Sequence, residues 1–225
     1  ADGSVVAALT GVVADPAVVG AIEAAFETVG RLYIADGHHR AAAAARVSRI
    51  SNGPNAGRFL TVLFPHDEVR ILDYNRVVYD WGATTQQAFL EKLGQKFIVE
   101  PVRGRGQETG KPERVHRFGM YLDGTWYQLT SKPGTFDHTD ALGRLDVNIL
   151  QNNLLAPLLG IQDPRTDKRI GFVGGIRGMA ELRRLVDSGR AVVAFALYPT
   201  SIEELMLVAD ANEIMPPKST WFEPK

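Results

Sequence analysis

Apolar and polar positions along the first third of the chain change period several times, and each change marks a predicted element. Residues 5–9 and 32–35 are short continuous apolar runs, which predict buried strands. Behind Asp15-Pro16, apolar residues recur every three or four positions, which predicts a helix with an aspartate cap and a first-turn proline. Residues 41–50 are dense in helix formers and predict a second helix. The opening therefore predicts a β-α-β-α order.

The middle of the chain favours antiparallel strands with one helix. Asp123-Gly124 separates two extended segments and is the strongest short-range hairpin signal in the sequence. The polar, glycine-rich stretch 103–112 predicts a solvated loop. The other predictions here are strands at 58–64 and 69–79 that pair through 65–68, a helix at 85–93, and strands at 96–102, 118–122 and 125–130.

The last third returns to helical periodicity. A helix is predicted at 140–159, bent near Pro157, and a strand at 170–175 enters a glycine turn. A helix at 179–188, a strand at 191–197 and a helix that ends near 211 follow, the last with a capping box at 200–203. The whole pattern predicts an α+β fold, a mixed sheet with flanking helices. It divides the chain into sections 1–57, 58–135 and 136–225, of which the second is rich in antiparallel hairpins and the third packs on the first.

Composition limits the classes of function. The chain has 225 residues, 45% of them hydrophobic, and a net charge of −1, which suits a globular core and argues against a nucleic-acid partner. It has no cysteine, so disulfides, thiolate metal sites and thiol catalysis are excluded. No apolar run approaches ~20 residues, and no signal-peptide pattern is present, so we expect no membrane partner and a cytoplasmic location.

The densest chemistry lies between the predicted strand at 32–35 and the helix that follows. Asp36 is placed to cap that helix, and Gly37, His38, His39 and Arg40 follow it. A helix N-terminus presents free N–H groups and a positive dipole end, so the turn predicts a phosphate site with Arg40 as a bidentate donor. Asp36 would then be a magnesium ligand or a base, and a histidine would contact phosphate or substrate. The alternative is a capped helix with solvated histidines. Zinc is disfavoured because adjacent helical histidines point about 100° apart.

Three weaker motifs accompany the turn. Residues 171–178 are glycine-rich, but their spacing does not fit a dinucleotide turn, so tight packing is favoured, with Arg177 in reach of a phosphate. Lys218, Ser219 and Thr220 have the order that ends a phosphate loop, although prolines precede them and Trp221 could simply pin the segment. A possible polar cluster is Asp73, Asn75 and Arg76, although alternate residues of a strand face opposite sides.

Three blocks in order resemble the domain-of-unknown-function family ten-fifteen, of the ParB/sulfiredoxin-like superfamily. The blocks are residues 33–40, 171–175 and 215–225. The resemblance implies a ParB/sulfiredoxin-like, nucleotide-binding core in residues 1–57. Members of the family are usually longer, with a region before the present residue 1, so this sequence is expected to be a fragment or a processed chain.

The resemblance also narrows the chemistry. Sulfiredoxins need a cysteine, and ParB-type CTP clamps need a DNA-binding helical domain and a basic surface, neither of which the sequence contains. The SerK-type free-serine kinases share the Asp-Gly-His-His-Arg string itself. By this resemblance Asp36 acts at the magnesium or the serine hydroxyl, and residues 37–40 hold phosphate. Those kinases also use a catalytic carboxylate upstream of the turn, in the region expected to precede residue 1.

The sequence therefore predicts a nucleotide-dependent phosphotransferase for a small hydroxyl metabolite, above all a free L-serine kinase giving O-phosphoserine. Its expected cofactors are ATP or ADP as the phosphate donor and Mg²⁺, bound by Asp36. The candidate catalytic residues are Asp36, His38 and His39, and the nucleotide- and phosphate-binding candidates are Gly37, His38, His39, Arg40, Arg177, Lys218, Ser219 and Thr220. The alternative is a catalytically inactive nucleotide-binding regulatory protein, and a third hypothesis is a phosphate-sensing or interaction protein. Exposed hairpins can pair between subunits, which leaves a homodimer open.

Overall fold

The computed structural model describes residues 12–104 and 106–223, in two compact units, Ala1–Phe59 and Leu60–Lys225. The predicted α+β class is confirmed, because helices flank a six-stranded sheet in the second unit. The strand predicted at residues 5–9 lies outside the described residues. Within the described ranges, no helix is both long enough and apolar enough to cross a bilayer.

The first unit contains two described helices, α1 (Pro16–Glu27) and α2 (His38–Ile50). The predicted start of α1 is confirmed. The Asp15 carboxylate accepts a hydrogen bond of 2.8 Å from the Ala17 N–H, and Pro16 occupies the first helical position, where its missing N–H costs nothing.

The buried strand predicted at residues 32–35 is wrong. The segment has no regular structure, and Leu32 and Ile34 are 63% and 49% exposed. A short apolar run becomes a strand only where another strand pairs with it, and no strand of the first unit lies within the described residues. The β-α-β-α opening is therefore reduced to two helices joined by an irregular segment.

The second unit contains the strands and the remaining helices. The strands are β1 (Arg70–Leu72), β2 (Tyr74–Val78), β3 (Phe97–Pro101), β4 (Arg117–Leu122), β5 (Thr125–Ser131), β6 (Ile170–Gly174), β7 (Val193–Leu197) and β8 (Trp221–Glu223). The helices are α3 (Gln86–Lys96), α4 (Asp146–Leu150), α5 (Ala156–Leu159), α6 (Gly178–Asp187) and α7 (Ile202–Asp210), with one π-helical turn (Gln151–Leu155) and two 3₁₀ turns (His66–Glu68 and Gly175–Arg177).

The main sheet has the order β3-β5-β4-β7-β2-β6, and β1 pairs with β8 in a separate two-stranded sheet. Every pair in both sheets is antiparallel, so the predicted mixed sheet is antiparallel throughout the described residues. The predicted hairpin between β4 and β5 is confirmed. Asp123 and Gly124 have φ of 48° and 74°, as a two-residue turn that follows the strand twist requires.

Two hydrophobic clusters cover the two faces of the main sheet. On one face, Phe118 and Phe195 belong to a cluster with Phe89 of α3 and Leu154 of the π turn. On the other, Tyr121 of β4, Trp126 of β5 and two alanines of β7 belong to a cluster with Met179, Leu182 and Leu185 of α6. Helices thus bury both faces, which fits the long apolar runs in β4 and β7.

Several predicted bounds in the second unit are wrong. Residues 58–64 form no strand, since none of the strands in the described part of the chain pairs with them, and Leu60 and Val62 are 97% and 70% exposed. The strand predicted at 69–79 is divided at Asp73 into β1 and β2, which belong to different sheets. The capping box lies one residue later than predicted, between Ser201 and Glu204.

The long helix predicted at 140–159 begins only at Asp146, after a series of turns. The π turn lies immediately before Pro157, and there the Ala156 N–H donates to the Gln151 carbonyl, five residues back. A proline removes one backbone donor from the helical ladder, and a π turn is one way to accommodate the loss.

Asp146 at the start of α4 is a buried carboxyl group with an incomplete set of partners. Its side chain is 8% exposed, and Oδ1 accepts a 2.7 Å hydrogen bond from the His116 N–H. Burial raises the pKa of Asp146 to about 8, with a smaller contribution from the charge of Glu204, and the His116 hydrogen bond opposes the shift. The folded protein therefore holds a proton on Asp146 at neutral pH that the unfolded chain releases near its ordinary pKa of 3.8.

This proton predicts a pH dependence of stability. Below the pKa of the unfolded state, Asp146 is protonated in both states and makes its full contribution to the free energy of unfolding. As the pH rises toward the pKa of the folded state, this contribution is lost, at up to about 1.4 kcal/mol per pH unit. Relative to Asp146→Asn, the wild-type free energy of unfolding should fall between about pH 4 and about pH 8. Urea unfolding at several pH values measures the difference. The exposed substitution Asp67→Asn is the control, and parallel wild-type and Asp146→Asn curves would contradict the prediction.

Candidate functional site

The Asp36 turn is built around a glycine in the left-handed region. Gly37 has φ 82° and is the N-cap of α2, and no side chain caps this helix. The predicted cap by Asp36 is wrong, because Asp36 Oδ1 instead accepts a 2.8 Å hydrogen bond from the adjacent Gly37 N–H. The carboxylate is thereby held beside the helix start and does not take the amides of the first turn.

The Arg40 side chain folds back toward the N-terminus of α2. A Cβ atom on Gly37 would lie 3.0 Å from Arg40 Nη2, so the guanidinium stands against the glycine. The first helical hydrogen bond runs from the Ala41 N–H to the Gly37 carbonyl, at 2.9 Å. The amides of residues 38–40 therefore precede the helical ladder, and His38, His39 and Arg40 are exposed. Uncapped amides beside a guanidinium can bind an oxyanion.

No group of three or more metal-binding side chains occurs within residues 12–104 and 106–223. This does not conflict with magnesium at Asp36, since Mg²⁺ is usually held by one or two carboxylates together with water and substrate phosphates. Asp36 is exposed, and only Oδ1 is used in the turn, so the residue fits such a single-carboxylate role.

In the second unit, the segment of Lys218, Ser219 and Thr220 leads into β8. Lys218 is exposed and has φ 55°, and its Nζ lies 5.8 Å from the centre of the Tyr74 ring. Ser219 is buried: its hydroxyl donates to the Pro216 carbonyl at 2.6 Å, and its own carbonyl accepts from the Thr200 hydroxyl at 3.3 Å. Ser219 thus stabilises the turn that presents Lys218.

Arg177 lies at the end of the Gly175–Arg177 turn, between β6 and α6, and is exposed. The turn is tightly packed, as predicted for residues 171–178. A Cβ on Gly174 would lie 2.8 Å from the Trp221 ring, and a Cβ on Gly175 would collide with the Asp73 carboxylate. The glycine turn and the Lys218 segment, far apart in sequence, therefore meet at residues 73 and 74.

Asp73 and Asn75 form a polar pair at this meeting point. The Asn75 amide donates to Asp73 Oδ2 and accepts a 2.9 Å hydrogen bond from the Leu197 N–H, and Asn75 is fully buried. The Asp73 carbonyl accepts from the Gly175 N–H at 2.8 Å. Burial raises the pKa of Asp73, and the hydrogen bond from Asn75 opposes this shift. The sequence indicated these residues only as a possible cluster, because which strands flank β2 is decided by tertiary pairing.

The close approach of Gly175 to the Asp73 carboxylate predicts a sensitive position. Gly175→Ala should destabilise the protein by about 1–3 kcal/mol, because the new methyl group overlaps a carboxylate that is held by Asn75. Chemical denaturation measures the change. Adding Asp73→Ala to Gly175→Ala should recover part of the loss, because it removes the atom that the methyl group meets.

The matched control is Gly94→Ala in α3, where nothing lies within 4 Å of the added methyl group. That substitution should stabilise the protein by about 0.5–1 kcal/mol through helix propensity. A Gly175→Ala variant as stable as Gly94→Ala would contradict the proposed overlap.

Solved structures of two kinds are similar to this chain. A free serine kinase in complex with AMP has 14% sequence identity and a TM-score of 0.47, over 84% of this chain and 66% of that chain. A mutant of a free serine kinase in complex with ADP has 13% identity and a TM-score of 0.45, over 84% and 66%. A conserved hypothetical protein from Pyrococcus furiosus has 15% identity and a TM-score of 0.45, over 84% and 68%. The chain therefore spans just under two thirds of the length of the serine-kinase structures.

No curated protein matches the chain significantly. Membership of the wider ParB/sulfiredoxin-like superfamily stays a prediction. The model of a family described as a protein of unknown function, DUF1015, matches residues 7–148. Because this match covers more than half of the 225 residues, the chain belongs to the DUF1015 family.

Proposed function

We propose that the protein is a nucleotide-dependent phosphotransferase that acts on a small hydroxyl metabolite, with free L-serine as the first acceptor to test. The observation that carries the proposal is the uncapped N-terminus of α2, with Arg40 folded over Gly37 and Asp36 held beside it. Capping carboxylates or hydroxyls usually take the first amides of a helix, so an uncapped, exposed start beside a guanidinium favours a phosphate ligand.

In this proposal the amides of residues 38–40 and the Arg40 guanidinium bind a nucleotide phosphate. The planar fork of the guanidinium suits two phosphate oxygens at once, and the dipole of the 13-residue α2 adds positive potential at the same end. His38 and His39 are exposed on the first turn and are candidates for contact with phosphate or with the acceptor. Glycine at position 37 permits the close approach of the Arg40 guanidinium to the helix start, because at φ 82° any side chain would be strained and would meet Arg40.

Asp36 is the proposed ligand of Mg²⁺ or the acceptor of the hydroxyl proton. The reaction would form a bond between the acceptor oxygen and the terminal phosphorus, and the nucleotide would leave with one phosphate fewer while the hydroxyl proton passes to a base. A bound magnesium ion would neutralise phosphate charge. Positioning and charge neutralisation supply most of the catalysis in such transfers, which is consistent with the few polar residues in the turn.

The second unit has proposed phosphate contacts of its own. Lys218 and Arg177 are exposed cations on tight turns, and both turns meet at residues 73 and 74. The Ser219 hydroxyl is used within its own turn, so the proposed contact of Ser219 is through the backbone; Thr220 is half-buried beside it. An inactive nucleotide-binding regulatory protein would use the same contacts and differ only in lacking turnover.

The test is Asp36→Asn, which keeps the side-chain oxygen for the Gly37 N–H and removes the charge. We expect Asp36→Asn to fold like the wild type and to bind nucleotide with an affinity within a few fold of the wild-type value. The rate of serine-dependent product formation should fall by about 100-fold or more. Product is measured by mass spectrometry of O-phosphoserine with ATP or ADP and magnesium. A near-normal rate would contradict the role of Asp36.

Nucleotide binding is tested separately with Arg40→Ala, for which Arg49→Ala near the end of the same helix is the control. Isothermal titration with AMP, ADP, ATP and CTP should show weaker binding for Arg40→Ala alone, by about tenfold or more. Nucleotide binding without any serine-dependent product would favour the regulatory protein. Absence of nucleotide binding by the wild-type chain would contradict both functions.

A further inference from the structure

Arg76 in β2 is a buried cation that has no acidic partner among the described residues. Its side chain is 4% exposed, in a strand that is hydrogen-bonded on both edges, to β6 and β7. One of its guanidinium nitrogens, Nη1, donates to the Tyr74 carbonyl, and Cζ lies 4.8 Å from the centre of the Phe172 ring. Within residues 12–104 and 106–223, no ion pair involves Arg76. Arginine presents five N–H donors, so one backbone carbonyl uses a small part of its capacity.

The surroundings of Arg76 do not compensate its charge. Burial lowers the pKa of Arg76 to about 10, and the opposing contribution comes from Tyr74 and not from a carboxylate. Fully buried charges are normally paired or bound to a ligand, because transfer from water to a low-dielectric interior is strongly unfavourable. Phe172 offers a cation–π contact, which offsets only part of such a cost.

A second cation lies next to the same aromatic group. Tyr74 and Phe172 are in edge-to-face contact, with ring centres 6.2 Å apart, and Lys218 Nζ lies 5.8 Å from the Tyr74 ring centre. Trp221 also contacts Tyr74, with ring centres 5.8 Å apart. Asp73 does not neutralise these two cations. Its carboxylate accepts a hydrogen bond from the Asn75 amide, and Asn75 lies on the face of β2 opposite to Tyr74 and Arg76. Two positive side chains and three aromatic side chains thus lie at one end of the sheet.

We propose that Arg76 and Lys218 form a binding site for an oxyanion, either the carboxylate of an amino acid or a phosphate group. Arg76 supplies a fixed planar fork from the strand, and Lys218 supplies a mobile point charge from the turn before β8. Tyr74, Phe172 and Trp221 reduce the local dielectric, which strengthens the attraction for the anion. The ligand then provides the counter-charge that the protein itself lacks. The inference rests on the proposed function through Lys218, one of its proposed phosphate contacts, but anion binding at this site does not require phosphoryl transfer to occur.

The competing explanation is a structural arginine that joins β2 to β6 through Phe172. The two roles predict opposite effects of Arg76→Met. A structural role predicts a lower melting temperature and unchanged ligand affinity. A binding role predicts a melting temperature of the free protein that is unchanged or higher, because an uncompensated buried charge is replaced by an apolar side chain, together with loss of anion binding.

The experiment titrates the full chain and its variants with inorganic phosphate, ADP and L-serine separately, by isothermal titration and thermal shift. The variants are Arg76→Met, Arg76→Lys and Lys218→Met, and the controls are the exposed residues Arg165→Met and Lys92→Met. We expect at least one probe to bind the wild type and to lose about tenfold or more in affinity in both Arg76→Met and Lys218→Met, with the controls unchanged. Arg76→Lys should recover affinity only in part, because it keeps the charge and loses the fork.

The pattern across probes identifies the anion. Loss of L-serine binding alone identifies a carboxylate, and joint loss of phosphate and ADP binding identifies a phosphate. The site would be overturned if no probe bound to the wild type. It would also be overturned if Lys218→Met bound the probes with affinities within twofold of the wild type, and this comparison can be made even where Arg76→Met does not fold. O-phosphoserine formation is measured in parallel. Turnover together with anion affinities that Arg76→Met and Lys218→Met leave unchanged would overturn this site alone, whereas Arg76-dependent binding without turnover would overturn only the kinase.

Discussion

The second unit depends on the position of β2, which is hydrogen-bonded to β6 on one edge and to β7 on the other. This double pairing fixes the register of the Asp73–Arg76 segment and divides its side chains between the two faces of the sheet. Where the backbone ladder between β2 and β7 ends, the Asn75 side chain accepts the hydrogen bond of the Leu197 N–H. The hydrogen-bonded ladder therefore decides where each polar group of this strand is presented.

The glycines follow from the same constraint. Because Asp73 is held by Asn75 and by the Gly175 amide, residue 175 has no room for a side chain, and Gly174 is similarly covered by the Trp221 ring. The turn after β6 and the segment before β8 are thereby brought to one end of the sheet. Their exposed cations, Arg177 and Lys218, are positioned by packing and not by a continuous phosphate-binding loop.

The first unit uses a simpler device. A left-handed glycine starts α2, the preceding aspartate turns back to the glycine amide, and an arginine one turn along covers the glycine. Such a start leaves the first amides without a side-chain cap and places positive charge beside them. The chemistry proposed for the protein rests on this local arrangement, which is set by residues within five positions of one another.

Local signals in the sequence determined much of the structure. The Asp15-Pro16 helix start, the Asp123-Gly124 hairpin and the helix behind Gly37 each follow from side chains acting on their own backbone, so they could be predicted without the fold. The α+β class followed from the periodicity of the apolar residues. The candidate turn at residues 36–40 was likewise visible as a concentration of polar groups. Its N-cap by Gly37 could not be predicted, because the Asp36 carboxylate accepts from the adjacent Gly37 N–H and not from the amides of the first helical turn.

Only the tertiary structure decided which extended segments became strands. Residues 32–35 and 58–64 have the same apolar character as β6 and β7, yet they belong to neither sheet of the described residues, and Leu32, Ile34, Leu60 and Val62 are exposed. A single extended run, in contrast, was divided at Asp73 between two sheets. The burial of Arg76 against Phe172 was equally invisible, since Phe172 is nearly 100 positions away in sequence, and Lys218, which lies by the ring of Tyr74, is more than 140 positions from that tyrosine. Strand pairing and charge compensation are long-range properties, and a sequence read locally contains neither.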